Sequence, residues 1–327
     1  MKAIVYSNYG PPDVLKCEEI EKPSPQDNEV LIKIHAAAVN PLDWHFMRGE
    51  PYVVRLMTGL RKPKITRLGV DVAGQVEAVG QSVTQFKAGD EVFGACRGAF
   101  AEYGCTAESS LALKPSNMTF EEAGAVSIAG RTALQGLRLA GLGDKGQMQP
   151  GVKVLINGAA GGVGTFAVQI AKAFGADVTG VCSTRNAEMV RSLGADRVVD
   201  YTQEDFTKSG QRYDILFDCF ANHSLLACRR VLNPKGRYVA AGGPSGRWMF
   251  GLGRVIAGPL LSSLLSQKFA TFLAQSRKED LRILGDFMEA GKVTPIVDRR
   301  YRLSEVPEAI RYLEEGHARG KVVITLE

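Results

Sequence analysis

The hydrophobic positions change rhythm twice along the chain. Up to about residue 124 they fall in short extended runs: Glu29 to Ala38, Asp71 to Val79, Asp90 to Gly94 and Phe100 to Cys105, punctuated by Gly80, Gly89 and Gly98. That pattern predicts strands and turns. From Phe120 to Leu139 small apolar residues follow Glu121 and Glu122 and predict helix. Residues 152 to about 274 then alternate. Val152, Val154, Leu155 and Ile156 form a buried-strand run. Val163, Phe166, Ala167, Ile170, Ala171 and Phe174 recur at helical spacing, and Val178 to Cys182 is extended again. Further strands are expected at Arg197–Asp200, Asp214–Asp218, Arg237–Gly242 and Lys268–Leu273, six in all, as a doubly wound parallel sheet requires. The tail reads as helices over Lys278–Glu289 and Ser304–Glu315 and a last strand over Lys321–Leu326. The expectation is an α/β chain in which a β-rich domain, 1–124 and 275–327, is interrupted by a parallel-sheet domain, 125–274.

Ala159-Ala160-Gly161-Gly162-Val163-Gly164 lies between the first strand and helix of the middle region. It is the dinucleotide pattern G-x-G-x-x-G with Ala159 in the first glycine's place. Gly161 lets backbone approach a pyrophosphate, and Gly164 lets the helix pack on the strand. Ala160, Gly161, Gly162 and Val163 are therefore candidate cofactor contacts at a helix N-terminus. Gly141 to Gly146 fits the same glycine spacing, but no strand precedes it and no apolar helix follows, so it reads as a surface loop. The second strand runs into Ser183-Thr184-Arg185-Asn186. An NAD-preferring site carries Asp or Glu there. Here no acid repels a 2′-phosphate, Ser183, Thr184 and Arg185 can donate to one, and Tyr201 after the third strand adds a phenol. The expected cofactor is NADPH. Gly242 and Gly243, closing the fifth strand, would let backbone pass the nicotinamide.

Composition excludes more than it adds. The 327 residues are 45% hydrophobic and 23% charged, and 40 basic against 35 acidic residues give a net charge of +5 with no basic stripe for nucleic acid. Six cysteines without a C-x-x-C pair read as reduced thiols of a cytoplasmic protein. Met1 to Tyr6 reads as a strand, not a signal peptide. Trp248 to Phe272 is the most apolar stretch, but Arg254, Pro259 and Lys268 break it, so no integral membrane segment is expected. It reads as a lid or interface segment, with peripheral membrane contact by 246–265 as the alternative.

The chain resembles the medium-chain dehydrogenase/reductase superfamily, in its zinc-free quinone oxidoreductase branch. The matching pieces are Met1-Lys2-Ala3 with the Tyr9 to Pro12 turn, Ala36 to Asp43, Gly69 to Gly74, Ala159 to Gly164, Gly194-Ala195-Asp196 and Gly316 to Val323. The resemblance implies a GroES-like catalytic domain, a Rossmann domain and a cleft between them. It also implies hydride transfer from NADPH to a quinone or α,β-unsaturated carbonyl, and a homodimer joined through the sixth Rossmann strand. Zinc-dependent relatives carry a Cys where this chain has Asn40 and a His-Glu pair near Val70-Asp71, so no metal is expected.

Without a metal, the protein must supply position and hydrogen bonds to the developing enolate. The resemblance places Asn40 in the cleft, where it would donate to substrate or orient cofactor; a turn-making role before Pro41 is the alternative. Asp43 would hold Asn40 or cap the following helix. Tyr52 and His45 are candidate proton donors or wall residues, with water as the other source. Thr132 would bond the nicotinamide side or serve its own helix. Lys321 would reach the cofactor or stand on a strand edge. The rivals to enone or quinone reduction are reduction of simple aldehydes or ketones and a non-catalytic NADPH-binding role.

Overall fold

The structure is a computed structural model describing residues 1–143, 150–241 and 252–326. In the N-terminal part the elements are β1 (Lys2–Val5), β2 (Lys16–Glu19), β3 (Glu29–Val39), α1 (Pro41–Arg48), α2 (Arg55–Thr58), β4 (Asp71–Val79), β5 (Glu91–Ala95), β6 (Tyr103–Ala107) and β7 (Leu111–Leu113). The helical run expected from Phe120 to Leu139 is two helices, α3 (Phe120–Gly124) and α4 (Ser127–Leu139). Thr119 caps the first through a reciprocal bond with Glu122.

The middle region gives β8 (Lys153–Asn157), α5 (Gly162–Ala173), β9 (Asp177–Cys182), α6 (Ala187–Ser192), β10 (Arg197–Asp200), β11 (Tyr213–Asp218), α7 (Leu225–Arg230), β12 (Leu232–Ala240), α8 (Leu252–Leu264) and β13 (Lys268–Thr271). Its six strands are all parallel, in the order β10-β9-β8-β11-β12-β13. The order reverses between β8 and β11, and such a switch point opens a crevice at the strands' carboxyl ends. β13 is an edge strand, paired with β12 alone among the described residues.

The tail supplies α9 (Lys278–Glu289), β14 (Val297–Arg302), α10 (Val306–Glu314) and β15 (Lys321–Thr325). β15 pairs antiparallel with β3 and parallel with β14, so the last strand closes the first region's sheet. That seven-stranded sheet runs β14-β15-β3-β4-β5-β7, with β6 on β3.

The two sheets share a core. Phe93 and Ala73 of the β-rich sheet pack in one cluster with Val126, Leu134 and Leu137 of α4, Phe166 and Ile170 of α5, and Leu281 and Leu284 of α9. Burying such side chains is worth roughly 1.5–3 kcal/mol each, so α4 and α9 hold the two large sheets together. Gly320 links the two regions directly: its N–H donates to the Ala160 carbonyl at 2.9 Å, a β-bridge opposite Gly161.

Candidate active site

The fingerprint turn comes first. Gly158, not Ala159, adopts the left-handed backbone of the tight turn (φ +84°), and Ala159 is fully buried. Glycine spacing assigns the first position to Ala159, but the positive φ of the turn falls one residue earlier, at Gly158. A Cβ on Gly164 would fall 2.0 Å from the Gly158 carbonyl oxygen, so this glycine lets α5 sit against β8. A Cβ on Gly161 would meet only Gly158 O, at 3.5 Å. The space above Gly161 is open, and no side chain caps the first turn of α5. Free amides at an open helix N-terminus suit a pyrophosphate, so Ala160, Gly161, Gly162 and Val163 fit a dinucleotide.

At the ends of β9 and β10 the structure brings together Ser183, Thr184, Arg185 and Tyr201. The Arg185 guanidinium donates to the His317 carbonyl at 3.0 Å and is exposed, as is Tyr201. Ser183 Oγ accepts from Asn186 at 3.2 Å. An acid does stand beside this group: Asp200, from β10 rather than β9. Thr184 donates to its Oδ2, and the Thr202 amide and hydroxyl donate to its Oδ1 at 2.9 and 2.7 Å. Those hydrogen bonds, Thr184's foremost, hold the Asp200 carboxyl below the ordinary range. The expectation of an acid-free pocket is corrected here, since β9 alone could not reveal a neighbour contributed by β10. Gly242 and Gly243 lie outside the described residues.

Across the cleft, α1 and β4 deliver a buried polar cluster. Asn40 precedes α1, Asp71 opens β4 and Lys321 opens β15; they are 2%, 0% and 4% exposed. Lys321 Nζ donates to Asn40 Oδ1 and, at 3.1 Å, to Asp71 Oδ2. Asn40 Nδ2 donates to Asp71 Oδ2 at 3.0 Å and to Ala38 O at 3.1 Å. Both amide hydrogens of Asn40 are thereby committed within the protein. Lys321 carries three hydrogens, and two have partners. Its stem lies along the cofactor turn, 3.1 Å from where a Cβ on Gly162 would sit. Asp71 Oδ1 accepts the Ile128 amide at 2.7 Å, tying in the start of α4. On that helix the Thr132 hydroxyl donates to Ile128 O at 2.7 Å.

Asp43 supports this cluster from below. Its carboxylate accepts the Asn40 amide at 2.8 Å and the Gly69 amide at 2.9 Å, joining the start of α1 to the approach to β4. Burial pushes its carboxyl up to about 7. The Tyr6 hydroxyl, buried without a hydrogen-bond partner among the described residues, feels the same carboxylate. His45 is turned elsewhere: its Nδ1 meets the Glu50 carbonyl at 2.7 Å, its ring lies on Trp44, and burial lowers its pKa. Tyr52 stands in the following loop, 36% exposed, with the Arg55 guanidinium 4.9 Å from its ring centre.

Residues 26–116 match the alcohol dehydrogenase GroES-like domain family, and residues 193–324 match the zinc-binding dehydrogenase family. The NADPH-dependent alkenal/one oxidoreductase of Arabidopsis thaliana is 35% identical over 99% of this chain and 79% of its own length. The chain belongs to the medium-chain dehydrogenase/reductase superfamily. Within it, this chain falls in the quinone oxidoreductase branch. The quinone oxidoreductase of Coxiella burnetii superposes with a TM-score of 0.86 at 32% identity, covering 100% of this chain and 99% of its own. The Escherichia coli quinone oxidoreductase complexed with NADPH gives 0.83 at 25% identity, covering both chains in full. Membership of the superfamily makes the protein an NAD(P)-dependent oxidoreductase. No described group of three or more His, Cys, Asp and Glu residues is arranged to hold a metal.

Asp71 is the site residue that sequence reasoning did not single out. Its signal was a lone charge at the head of the apolar run Val72-Ala73, since a carboxylate entering a buried strand needs a partner. The partner, Lys321, lies 250 residues away, a distance that no local pattern bridges.

Proposed function

We propose that the protein is an NADPH-dependent, zinc-independent reductase that transfers hydride to quinones or α,β-unsaturated carbonyls. The observation carrying this reading is the buried Lys321 ammonium between Asn40 and Asp71, beside the cofactor turn. A fixed protein cation there supplies electrostatic stabilisation for charge developing on a substrate oxygen, the work that zinc does in other members of the superfamily. The names of the Arabidopsis and Coxiella relatives support the substrate classes.

The uncapped turn of α5 would hold the pyrophosphate, Arg185, Ser183, Thr184 and Tyr201 the 2′-phosphate, and Thr132 and the 242–243 backbone the nicotinamide side. The bound nicotinamide supplies the hydride. Lys321 polarises the substrate oxygen, Asn40 and Asp71 fix the ammonium, and Asp43 fixes Asn40. Tyr52, the more exposed of the two candidate donors, returns the proton, while His45 secures the Glu50 turn. The membership of the two large sheets supports the division into 1–124 with 275–327 and 125–274. The edge of β13, paired with β12 alone among the described residues, supports a homodimer, and six cysteines outside any disulfide support a cytoplasmic setting.

Parallel assays of NADPH consumption with a quinone, an enone and a saturated aldehyde test the reading. Turnover with the first two, and at most slow turnover with the aldehyde, is expected. Turnover with the aldehyde alone would move the protein to carbonyl reduction, and no turnover with any substrate would leave a binding protein.

A further inference from the structure

Between α1 and β4 the chain crosses a segment, 49–70, with an unusual surface. Leu56, Met57 and Leu60 are 72%, 79% and 69% exposed. Large apolar side chains grouped this closely on a free surface mark an interaction site. They are not loose ends of a slack loop. The Tyr9 hydroxyl meets Thr58 Oγ1 at 2.7 Å and donates to the Gly59 carbonyl at 2.6 Å, Arg55 Nε donates to the Gly49 carbonyl at 3.0 Å, and the Lys64 amide donates to the Thr58 carbonyl at 2.6 Å. The polar side of the segment is pinned to the protein, and the apolar side is held out.

The charge pattern identifies what would cover it. From Pro51 to Val70 there are five arginines and lysines and no acidic residue. The side chains of Arg61, Lys62 and Lys64 are exposed, and their charged groups make no hydrogen bond or ion pair among the described residues. Aliphatic side chains beside unpaired cations on a protruding turn are the elements by which a protein rests on an anionic bilayer: the apolar groups enter the acyl boundary while the cations meet headgroup phosphates. An acidic protein partner would satisfy the cations, but its headless charges would leave Leu56, Met57 and Leu60 without an apolar acceptor.

We propose that the 55–64 segment is a docking surface for anionic lipid bilayers, seating the protein peripherally with this turn toward the membrane. The surface does not depend on the catalytic reading. Flotation of the full chain with vesicles tests it, using phosphatidylcholine alone and phosphatidylcholine mixed with phosphatidylglycerol. Binding to the mixed vesicles, weakened by added salt, is expected. Arg61→Gln/Lys62→Gln/Lys64→Gln should weaken it on the order of a hundredfold. Leu56→Asp/Met57→Asp/Leu60→Asp should abolish it, and Leu260→Asp/Leu264→Asp, which alters exposed leucines of α8, should leave it intact. All three variants sit at exposed positions, and circular dichroism melting curves like the wild type's would confirm that each is folded. The proposal is overturned if the wild type stays with neither vesicle, or if both loop variants bind as the wild type does. It is likewise overturned if the loop variants only dissociate a wild-type oligomer without changing flotation, because the patch would then be covered by a second copy.

Discussion

Lys321 joins the two halves of the site with a single side chain. Removing it leaves the Asp71 carboxylate buried with its charge unpaired, which costs about 3–5 kcal/mol in comparable cases. Lys321→Met should therefore lower unfolding stability by that order in urea titrations, and Asp71→Asn in the same chain should restore part of it. Equal stability of Lys321→Met and wild type would remove the cluster from the account. Under the proposed 2′-phosphate contact, Arg185 and Asp200 should pull on cofactor choice in opposite directions. Arg185→Ala should raise KM for NADPH far more than for NADH, and Asp200→Asn should favour NADPH further; equal changes for both cofactors would dissociate these residues from the 2′-phosphate. Asp43 gives a pH dependence with a definite sign. Its carboxyl lies at about 7 in the folded chain against an ordinary 3.8. Between these values the folded state holds a proton that the unfolded state has released, so this contribution is fully present below about pH 4 and is lost as pH rises through 7. Asp43→Asn should flatten that slope, whatever it does to absolute stability, and an unchanged slope would contradict the assignment.

The turn between β8 and α5 separates two jobs that one glycine pattern joins. Gly164→Ala places a Cβ 2.0 Å from a backbone carbonyl and should cost roughly 1–3 kcal/mol of stability. Gly161→Ala meets nothing closer than 3.5 Å, so it should melt like the wild type while binding NADPH more weakly. Melting curves with and without NADPH distinguish the two, and a loss of stability in Gly161→Ala with normal binding would reverse the roles. Elements of this kind were legible in sequence because their causes are local. The strands Arg197–Asp200 and Asp71–Val79 and the helix Lys278–Glu289 have the bounds expected of them, since alternation and helical spacing report directly on which face is buried. The break between α3 and α4 was missed although Gly124 ends α3, because the small apolar residues on either side keep helical spacing.

At the scale of the whole molecule, the sheet orders and the return of β15 to β3 make one continuous frame around the cleft. Sequence pattern foretold six parallel strands and a returning tail, because strand counts and tail periodicity are local. It missed the site's internal wiring. Asn40 and Lys321 were named as separate candidates, yet they are bonded to each other and to Asp71, which commits both amide hydrogens of Asn40 within the protein. Hydrogen-bond allocation depends on three segments meeting, and no single segment encodes it. The central claim is that the protein directs hydride to a conjugated carbon instead of a carbonyl. The most direct measurement is product analysis after turnover of an enone with NADPH deuterated at the transferring position of its nicotinamide. The account predicts a saturated ketone with deuterium on the β-carbon; an allylic alcohol with deuterium on the carbinol carbon would contradict it.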